Sequence, residues 1–383
     1  MLPTQPRSRW LLGMGVVGAA SVMAAWFAVR HVPWFGPMVA DNLRALVGSE
    51  NVTSLEETVA SIEDRVHSAV SNGRARGLDE ATPEELVGTS SAKPALALAS
   101  IARPHDVGAL FQSTRSKDDG VWQSVSVRGT DTSPLYRTIV HPDAERSYAE
   151  LFVFALDLSR VQVHAVAGSI EPKSEEHTPG AKAERPGIIP EGDRGQLIAA
   201  FNGGFKAEHG QFGMMADGTE LLAPKPRSCT FAKHADGSLS IATWTKLAPQ
   251  AAELAWWRQA PGCMLEQGEL HPGLRTADST SWGATLEGKT VIRRSAVGLS
   301  QDGKTLFVGI SNSTTARALA LGMQHVGAHD VAQLDVNFSF PRFLLYRDGE
   351  QLSAVGAVNG LLYSRDEYLG KASTRDFFYV TTR

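Results

Sequence analysis

The residues best equipped for chemistry lie in three places along the chain. An apolar run, Leu197-Ile198-Ala199-Ala200-Phe201, leads into Asn202-Gly203-Gly204-Phe205-Lys206. Paired glycines let a backbone turn tightly and bring bare amides close to a ligand. Asn202, Lys206 and the Gly203 and Gly204 amides, with Phe205 between them, therefore read as an anion cradle. The same residues also read as a hairpin turn, because Asn-Gly is a strong hairpin signal. The second place is Arg293-Arg294-Ser295-Ala296-Val297-Gly298, where Arg294 enters a strand. A guanidinium there suits a phosphate, which it can bind through two parallel hydrogen bonds; the alternative is a solvated residue or a structural ion pair. The third is Asp335, at the end of the apolar stretch Val331–Val336 and followed by Asn337 and Ser339. An unpaired buried carboxylate is costly, and mixed sheets place ligand-contacting groups at the carboxyl ends of strands. Glu208 and His209, just past the paired glycines, are secondary acid–base candidates or residues of a solvated loop.

The elements that must position these groups are mostly strands. Leu151–Leu156 and Val161–Val166 flank Asp157-Leu158-Ser159-Arg160 and predict a hairpin, and Trp122–Val127 alternates. Asp-Gly turns at Asp217, Asp236, Asp302 and Asp348 each sit between apolar runs, an antiparallel signature. One stretch reads as α/β. Ser311–Thr314 caps a helix whose inward face carries Leu319, Met323 and Val326, Gly327 ends it, and the strand holding Asp335 follows. Residues 168–195, with Pro172, Pro179, Pro186 and Pro190, read as a long exposed loop. His164 alternates with valines and reads as a strand-surface residue. Trp256 and Trp257 either stack on a sugar or sit at the core and its edge.

Upstream, Trp10–Val29 carries no charge, with Arg7 and Arg9 before it and Arg30 after it. Twenty such residues suffice to cross a bilayer, and the arginine bias puts the N-terminus in the cytoplasm. The Gly13-x-Gly15-x-x-Gly18 within it lacks the strand, helix and acidic residue of a dinucleotide site and reads as small residues of a membrane helix. Val52, Leu55, Val59, Ile62, Val66 and Ala69 then repeat at helical spacing, with Thr53 and Glu56 as a capping box. Residues 71–105 read as a spacer. The expected organisation is a cytoplasmic N-terminus (1–9), a transmembrane anchor (10–30), a helical stalk and spacer (31–106) and a main domain (107–383).

The 383 residues, 43% hydrophobic, allow a substantial core, and the net charge of −4 provides no basic excess to neutralise nucleic-acid phosphates. Cys229 and Cys263 are the only cysteines; they pair outside the cytoplasm or remain buried thiols. No His-Glu-x-x-His, Gly-x-Ser-x-Gly or Walker pattern occurs, and the Asp-Gly turns lack calcium-loop spacing. Neither a metal nor a cofactor is expected.

Taken in order, Phe201-Asn202-Gly203-Gly204-Phe205, Gly213-Met214-Met215-Ala216-Asp217-Gly218, the Arg294–Gly298 strand and the helix leading to Leu334-Asp335 resemble the phosphodiester glycosidase family. The resemblance spans roughly residues 143–383 and includes the family's bacterial exopolysaccharide-associated branch. It implies an α+β fold with a mixed, largely antiparallel β-sheet and packed helices, here preceded by an N-terminal transmembrane helix. The family's aspartate is followed by a glycine-rich loop ending in serine; here Asp335 is followed by Val336-Asn337-Phe338-Ser339, which keeps the serine and loses the glycines. Asn337 is then a new polar contact, or the hydrolytic reaction is lost. The resemblance implies hydrolysis of sugar 1-phosphodiesters in cell-envelope glycopolymers. The leaving group is already a phosphate, so the site needs cations and amides upon it and a carboxylate to activate water or stabilise an oxocarbenium-like transition state. Asp335 takes the carboxylate role; Arg294, Lys206 and the glycine amides take the phosphate. The alternative is a non-catalytic envelope glycan-binding or assembly protein on the same fold. Either way the expected partners are a carbohydrate or sugar-phosphate polymer and the membrane, not nucleic acid, with the main domain outside the cytoplasmic membrane.

Overall fold

The computed structural model describes residues 49–86, 103–173, 184–276, 281–283 and 289–383, plus three isolated helical positions, Val39, Asn42 and Leu46. The anchor, the Gly13–Gly18 pattern and residues 87–102 lie outside them. Among the described residues no helix is long and apolar enough to cross a membrane.

In chain order the described strands are β1 (Gln123–Ser124), β2 (Leu135–Val140), β3 (Leu151–Asp157), β4 (Val161–Val166), β5 (Leu197–Asn202), β6 (Met214–Ala216), β7 (Thr219–Leu222), β8 (Cys229–His234), β9 (Leu239–Thr243), β10 (Leu254–Ala260), β11 (Leu265–Glu266), β12 (Glu269–Leu270), β13 (Ile292–Leu299), β14 (Thr305–Thr314), β15 (Asp330–Val336), β16 (Phe343–Arg347), β17 (Ser353–Gly356) and β18 (Phe377–Thr382). The helices are few: α1 (Ser49–Ser71), α2 (Leu78–Ala81), α3 (Trp244–Leu247) and α4 (Ala316–His325). The fold is therefore mixed but mostly antiparallel sheet. One sheet runs β1-β2-β3-β14-β13-β15-β11-β12, a second β7-β6-β10-β8-β9, a third β17-β16-β5-β18-β4.

The turn chemistry explains the local pairing. Each of the Asp217, Asp236, Asp302 and Asp348 turns joins two strands that pair antiparallel: β6 to β7, β8 to β9, β13 to β14 and β16 to β17. At the first, Asp217 (φ 48°) and Gly218 (φ 72°) both adopt positive φ, as a tight hairpin turn requires. One expected hairpin, and one alternative hairpin reading, do not form. β3 and β4 do not pair: β3 lies between β2 and β14, whereas β4 pairs with β18 in another sheet. The Asp157–Arg160 turn is a corner between sheets: Arg160 N donates to Asp157 O (3.0 Å) within it, while Leu158 N donates to Lys304 O and Arg383 N to Arg160 O. Asn202-Gly203 is not a hairpin either, because β5 pairs with β16 and β18.

Inner faces of all three sheets meet in one core, with Phe152 and Leu334 from the first, Phe231 and Trp256 from the second, Phe201 and Phe378 from the third. The other face of the first sheet is covered by α4 through Leu319, Met323 and Val326. That helix is capped by Thr315, whose hydroxyl accepts from Ala318 N (3.1 Å), rather than by Ser311–Thr314, which extend β14. β14 and β15 both pair antiparallel to β13, so they run parallel to each other, and α4 is the crossover between them.

The upstream readings need correction. α1 begins at Ser49, so Thr53 lies inside it rather than at its start. Most of its apolar stripe does not pack inward: Val52 is buried, but Leu55, Ile62 and Val66 are exposed. The docked face instead presents Asp64, which accepts from Arg146 and Tyr148. Part of the spacer is core: Leu78, Ala81 and Leu86 are buried. Cys229 and Cys263 form a disulfide across 34 positions. Trp256 and Trp257 are both buried, on opposite faces of β10, and His164 is half-buried, stacked on Tyr379.

Candidate functional site

The first and third sheets meet where β5 and β15 end. Asp335 N donates to Gly203 O (3.1 Å), which ties the strand carrying the carboxylate to the paired-glycine turn. Asp335 reaches this position through a β-bulge. Arg294 pairs with Val336 and Ala296 with Gln333, so Leu334 and Asp335 together stand opposite Ser295. Directly paired residues share a face, and the extra residue re-aims those beyond it. Arg294, Gln333 and Val336 therefore share one face and Asp335 the other, with Ser295. The Ser295 hydroxyl accepts from Asn202 Nδ2 (2.9 Å) and donates to Asp335 O (3.2 Å).

The Asp335 carboxylate is fully engaged. Oδ1 accepts from Val336 N (2.9 Å); Oδ2 accepts from Asn337 Nδ2 (2.9 Å) and from an Arg375 guanidinium nitrogen (2.7 Å). The same Arg375 nitrogen donates to Gly204 O (3.0 Å). Arg375 Nε is buried and has no partner. Its guanidinium stacks on Phe340 at 4.3 Å, and Arg342 lies 5.5 Å from that ring. Asn337 Oδ1 accepts from Ser339 N and Phe340 N, an Asx-turn that shapes the segment after Asp335 without glycine.

Several candidates serve other purposes. The Gly203 and Gly204 amides are not an open cradle: they donate to Asp376 O (3.0 Å) and Asp376 Oδ2 (2.9 Å). The glycines are demanded by that close approach. A Cβ on Gly203 would lie 2.2 Å from Asp376 Oδ2, and one on Gly204 2.7 Å from the Arg258 guanidinium carbon. Asn202 Oδ1 accepts from Arg342 N (3.0 Å), so this buried side chain stitches β5 to the start of β16. Arg294 points away from Asp335. It is wholly buried and donates to Thr314 O, Trp282 O, Gln333 Oε1 and Thr290 O, with no carboxylate among them. Burial alone pushes it down to about 10. Phe205 is buried against Phe212, ring centroids 5.8 Å apart. Lys206 Nζ and His209 both approach the Glu208 carboxylate, at 3.4 and 3.5 Å, and Glu208 and His209 lie at the surface. Asn337 and Ser339 do lie beside Asp335, although Ser339 contacts Asn337 and not the carboxylate.

The residues that the sequence reading missed are Arg375, Asp376, Arg258 and Arg293. Arg258 and Asp376 form a bidentate pair (2.8 and 3.2 Å), each side chain 1% exposed, directly beneath the glycine turn. Arg293 faces the Asp335 side, donating to Phe338 O and Gly360 O and lying 5.1 Å from the Phe338 ring. The available sequence signal was Arg375-Asp376 standing immediately before the aromatic strand Phe377–Val380. Only the pairing of β18 with β5, Phe377 opposite Asn202, brings it to the turn. Among the described residues no group of three or more His, Cys, Asp or Glu is placed to hold a metal.

No family model matches the chain, and no curated protein matches it. Solved structures give distant likenesses. The catalytic domain of zebrafish N-acetylglucosamine-1-phosphodiester alpha-N-acetylglucosaminidase, auto-inhibited by its pro-peptide, is similar over 68% of this chain and 87% of that one, at 15% identity and a TM-score of 0.41. A hypothetical protein from Synechocystis is similar over 65% of this chain and 62% of that one, at 11% identity and a TM-score of 0.40.

Proposed function

We propose that this protein is a hydrolase of sugar 1-phosphodiesters in cell-envelope glycopolymers, with Asp335 as the reacting carboxylate and Arg375 as the phosphate-binding cation. The observation that carries the reading is the Asp335–Arg375 contact (2.7 Å) against the paired-glycine turn, with Arg375 Nε buried and unpartnered. A buried donor without an acceptor is a cost that a bound anion removes. In this reading the substrate phosphate draws the Arg375 guanidinium off Asp335. Oδ2 is then free to take a proton from water as its oxygen bonds to the anomeric carbon, or to stabilise the positive charge forming there. The bond from that carbon to the phosphate oxygen breaks, and the bonding pair leaves on the phosphate, where the guanidinium meets the charge. Asn337 remains on the carboxylate and holds its orientation.

The ordered motifs of the sequence support the substrate class. The disulfide supports a domain outside the cytoplasm, and the uncharged stretch 10–29 supports a single-pass anchor. A second reading, a glycan-binding protein without catalysis, draws on one observation: the Asp335 side chain is 2% exposed and its oxygens are already satisfied. The test is release of reducing sugar from a panel of sugar 1-phosphodiesters by the full chain, with Asp335→Asn and Arg375→Gln alongside. Release that both substitutions abolish in folded protein supports hydrolysis. Binding without release supports the second reading.

A further inference from the structure

A cavity of about 410 Å³ is lined by Phe212, Lys225, Pro226, Arg227, Pro261 and neighbours, with neither Asp335 nor any other carboxylate in its wall. We propose that it is a binding site for an anionic saccharide unit, a sugar ring bearing a phosphate or carboxylate. The charges point there first. Arg227 is exposed and makes no hydrogen bond or ion pair among the described residues. Lys225 Nζ spends one bond on Gly210 O (2.7 Å), stands 5.7 Å from the Phe212 ring centroid, and has no carboxylate partner among the described residues. An ammonium and a guanidinium over one opening, neither neutralised, fit one anionic group with a bidentate contact from the arginine. The aromatic ring and the two prolines supply the apolar faces against which a sugar ring packs.

The walls are built to stay in place. Cys229 and Cys263, immediately behind the two wall segments, are bonded to each other, and Cys229 N donates to Pro261 O (2.9 Å). The Gln259 side chain, fully buried, grips the Lys225 backbone at both ends: Oε1 accepts from Lys225 N (2.7 Å) and Nε2 donates to Lys225 O (3.1 Å). Such pre-organisation reduces the ordering cost of binding. The cavity also adjoins the candidate site. Phe212 touches Phe205, and a Cβ on Gly283 would meet both Phe205 and Val336 at 2.8 Å. The Phe212 carbonyl in the cavity wall accepts from Arg258 Nη1 (2.6 Å), the guanidinium beneath the glycine turn. The assignment of the cavity to a polymer unit other than the one cleaved rests on the hydrolase reading; binding itself does not.

The experiment is calorimetric titration of the full chain with glucose 1-phosphate, glucuronate, glucose and inorganic phosphate. Lys225→Gln, Arg227→Gln and Asp335→Asn are run in parallel, with melting curves for each. Saturable binding of glucose 1-phosphate or glucuronate, weakened about tenfold by each cation substitution and unchanged in Asp335→Asn, supports the site. Binding that survives both cation substitutions, or that Asp335→Asn removes, overturns it, as does absence of binding by every probe. Inorganic phosphate binding as tightly as glucose 1-phosphate overturns the saccharide assignment. Turnover is scored separately, so a failed site and a failed hydrolase reading give different results.

Discussion

Replacing Asp376 by asparagine tests what holds the paired-glycine turn. The carboxylate accepts from Arg258 Nε and Nη2 and from Gly204 N, and its backbone oxygen accepts from Gly203 N. Asparagine keeps the shape and one acceptor oxygen. It removes the charge and turns an amide toward Arg258 in place of the second oxygen. The guanidinium is then left with the Phe205, Phe212 and Gln259 carbonyls and no anion. Breaking a buried pair by removing one partner costs about 3–5 kcal/mol, and with both side chains 1% exposed the full range applies. At roughly 2–3 °C of Tm per kcal/mol for a domain of this size, the expected fall is roughly 6–15 °C by calorimetry. The double replacement Arg258→Met with Asp376→Asn should cost less than the sum of the two single ones by about 2 kcal/mol or more, because the stranded charge is gone. A single-variant loss below about 2 °C, or strict additivity, would refute the reasoning that this pair anchors the turn.

Gly203→Ala should lower the melting temperature by several degrees, because its Cβ would lie 2.2 Å from Asp376 Oδ2 and 2.4 Å from Asp376 O; unchanged melting would show that the turn relaxes freely. Replacing both cysteines by alanine should cost about 3–4 kcal/mol for a loop of 34 positions, measured by urea titration. Burial, then the Lys233 ammonium, pushes His164 down to about 4, against a weaker opposing pull from Asp193, whereas an unfolded histidine titrates near 6.5. Between those values the unfolded chain binds more protons, so this contribution is fully present above about pH 6.5 and is lost as pH falls toward 4. After allowance for partial exposure it amounts to about 1–2 kcal/mol. His164→Gln should flatten that part of the acid limb, and an unchanged pH–stability profile would assign the limb elsewhere.

The local layer of this fold is legible in the sequence, and the long-range layer is not. The four Asp-Gly turns state their pairings because the turn residues sit between the strands they join. Asp335 near the end of a buried strand is legible for the same reason. The Asp157–Arg160 corner fails because the two runs beside it look alike whether they pair with each other or with different partners. Arg294 fails for a subtler cause. In a strand the side of each residue depends on register, and adjacent residues alternate. With Arg293, Arg294 and Ser295 in succession, the bulge opposite Ser295 decides which of them faces Asp335. Arg375 and Asp376 are separated from Asn202 by most of the domain's length, and no local pattern announces that β18 lies against β5. The glycines after Asn202 are legible as a close approach; what approaches them is a buried carboxylate and guanidinium of this same chain.

The central claim is that Asp335 and Arg375 act together on a sugar 1-phosphodiester. The most direct measurement is steady-state hydrolysis of a UDP-sugar and an aryl-phosphoryl sugar by the full chain and its folded variants. The account predicts turnover that falls roughly a hundredfold or more in Asp335→Asn and in Arg375→Gln, and that persists in Glu208→Gln and His209→Asn, whose side chains lie at the surface. Absence of turnover by the unmodified protein on every diester, or undiminished turnover in Asp335→Asn, would contradict it.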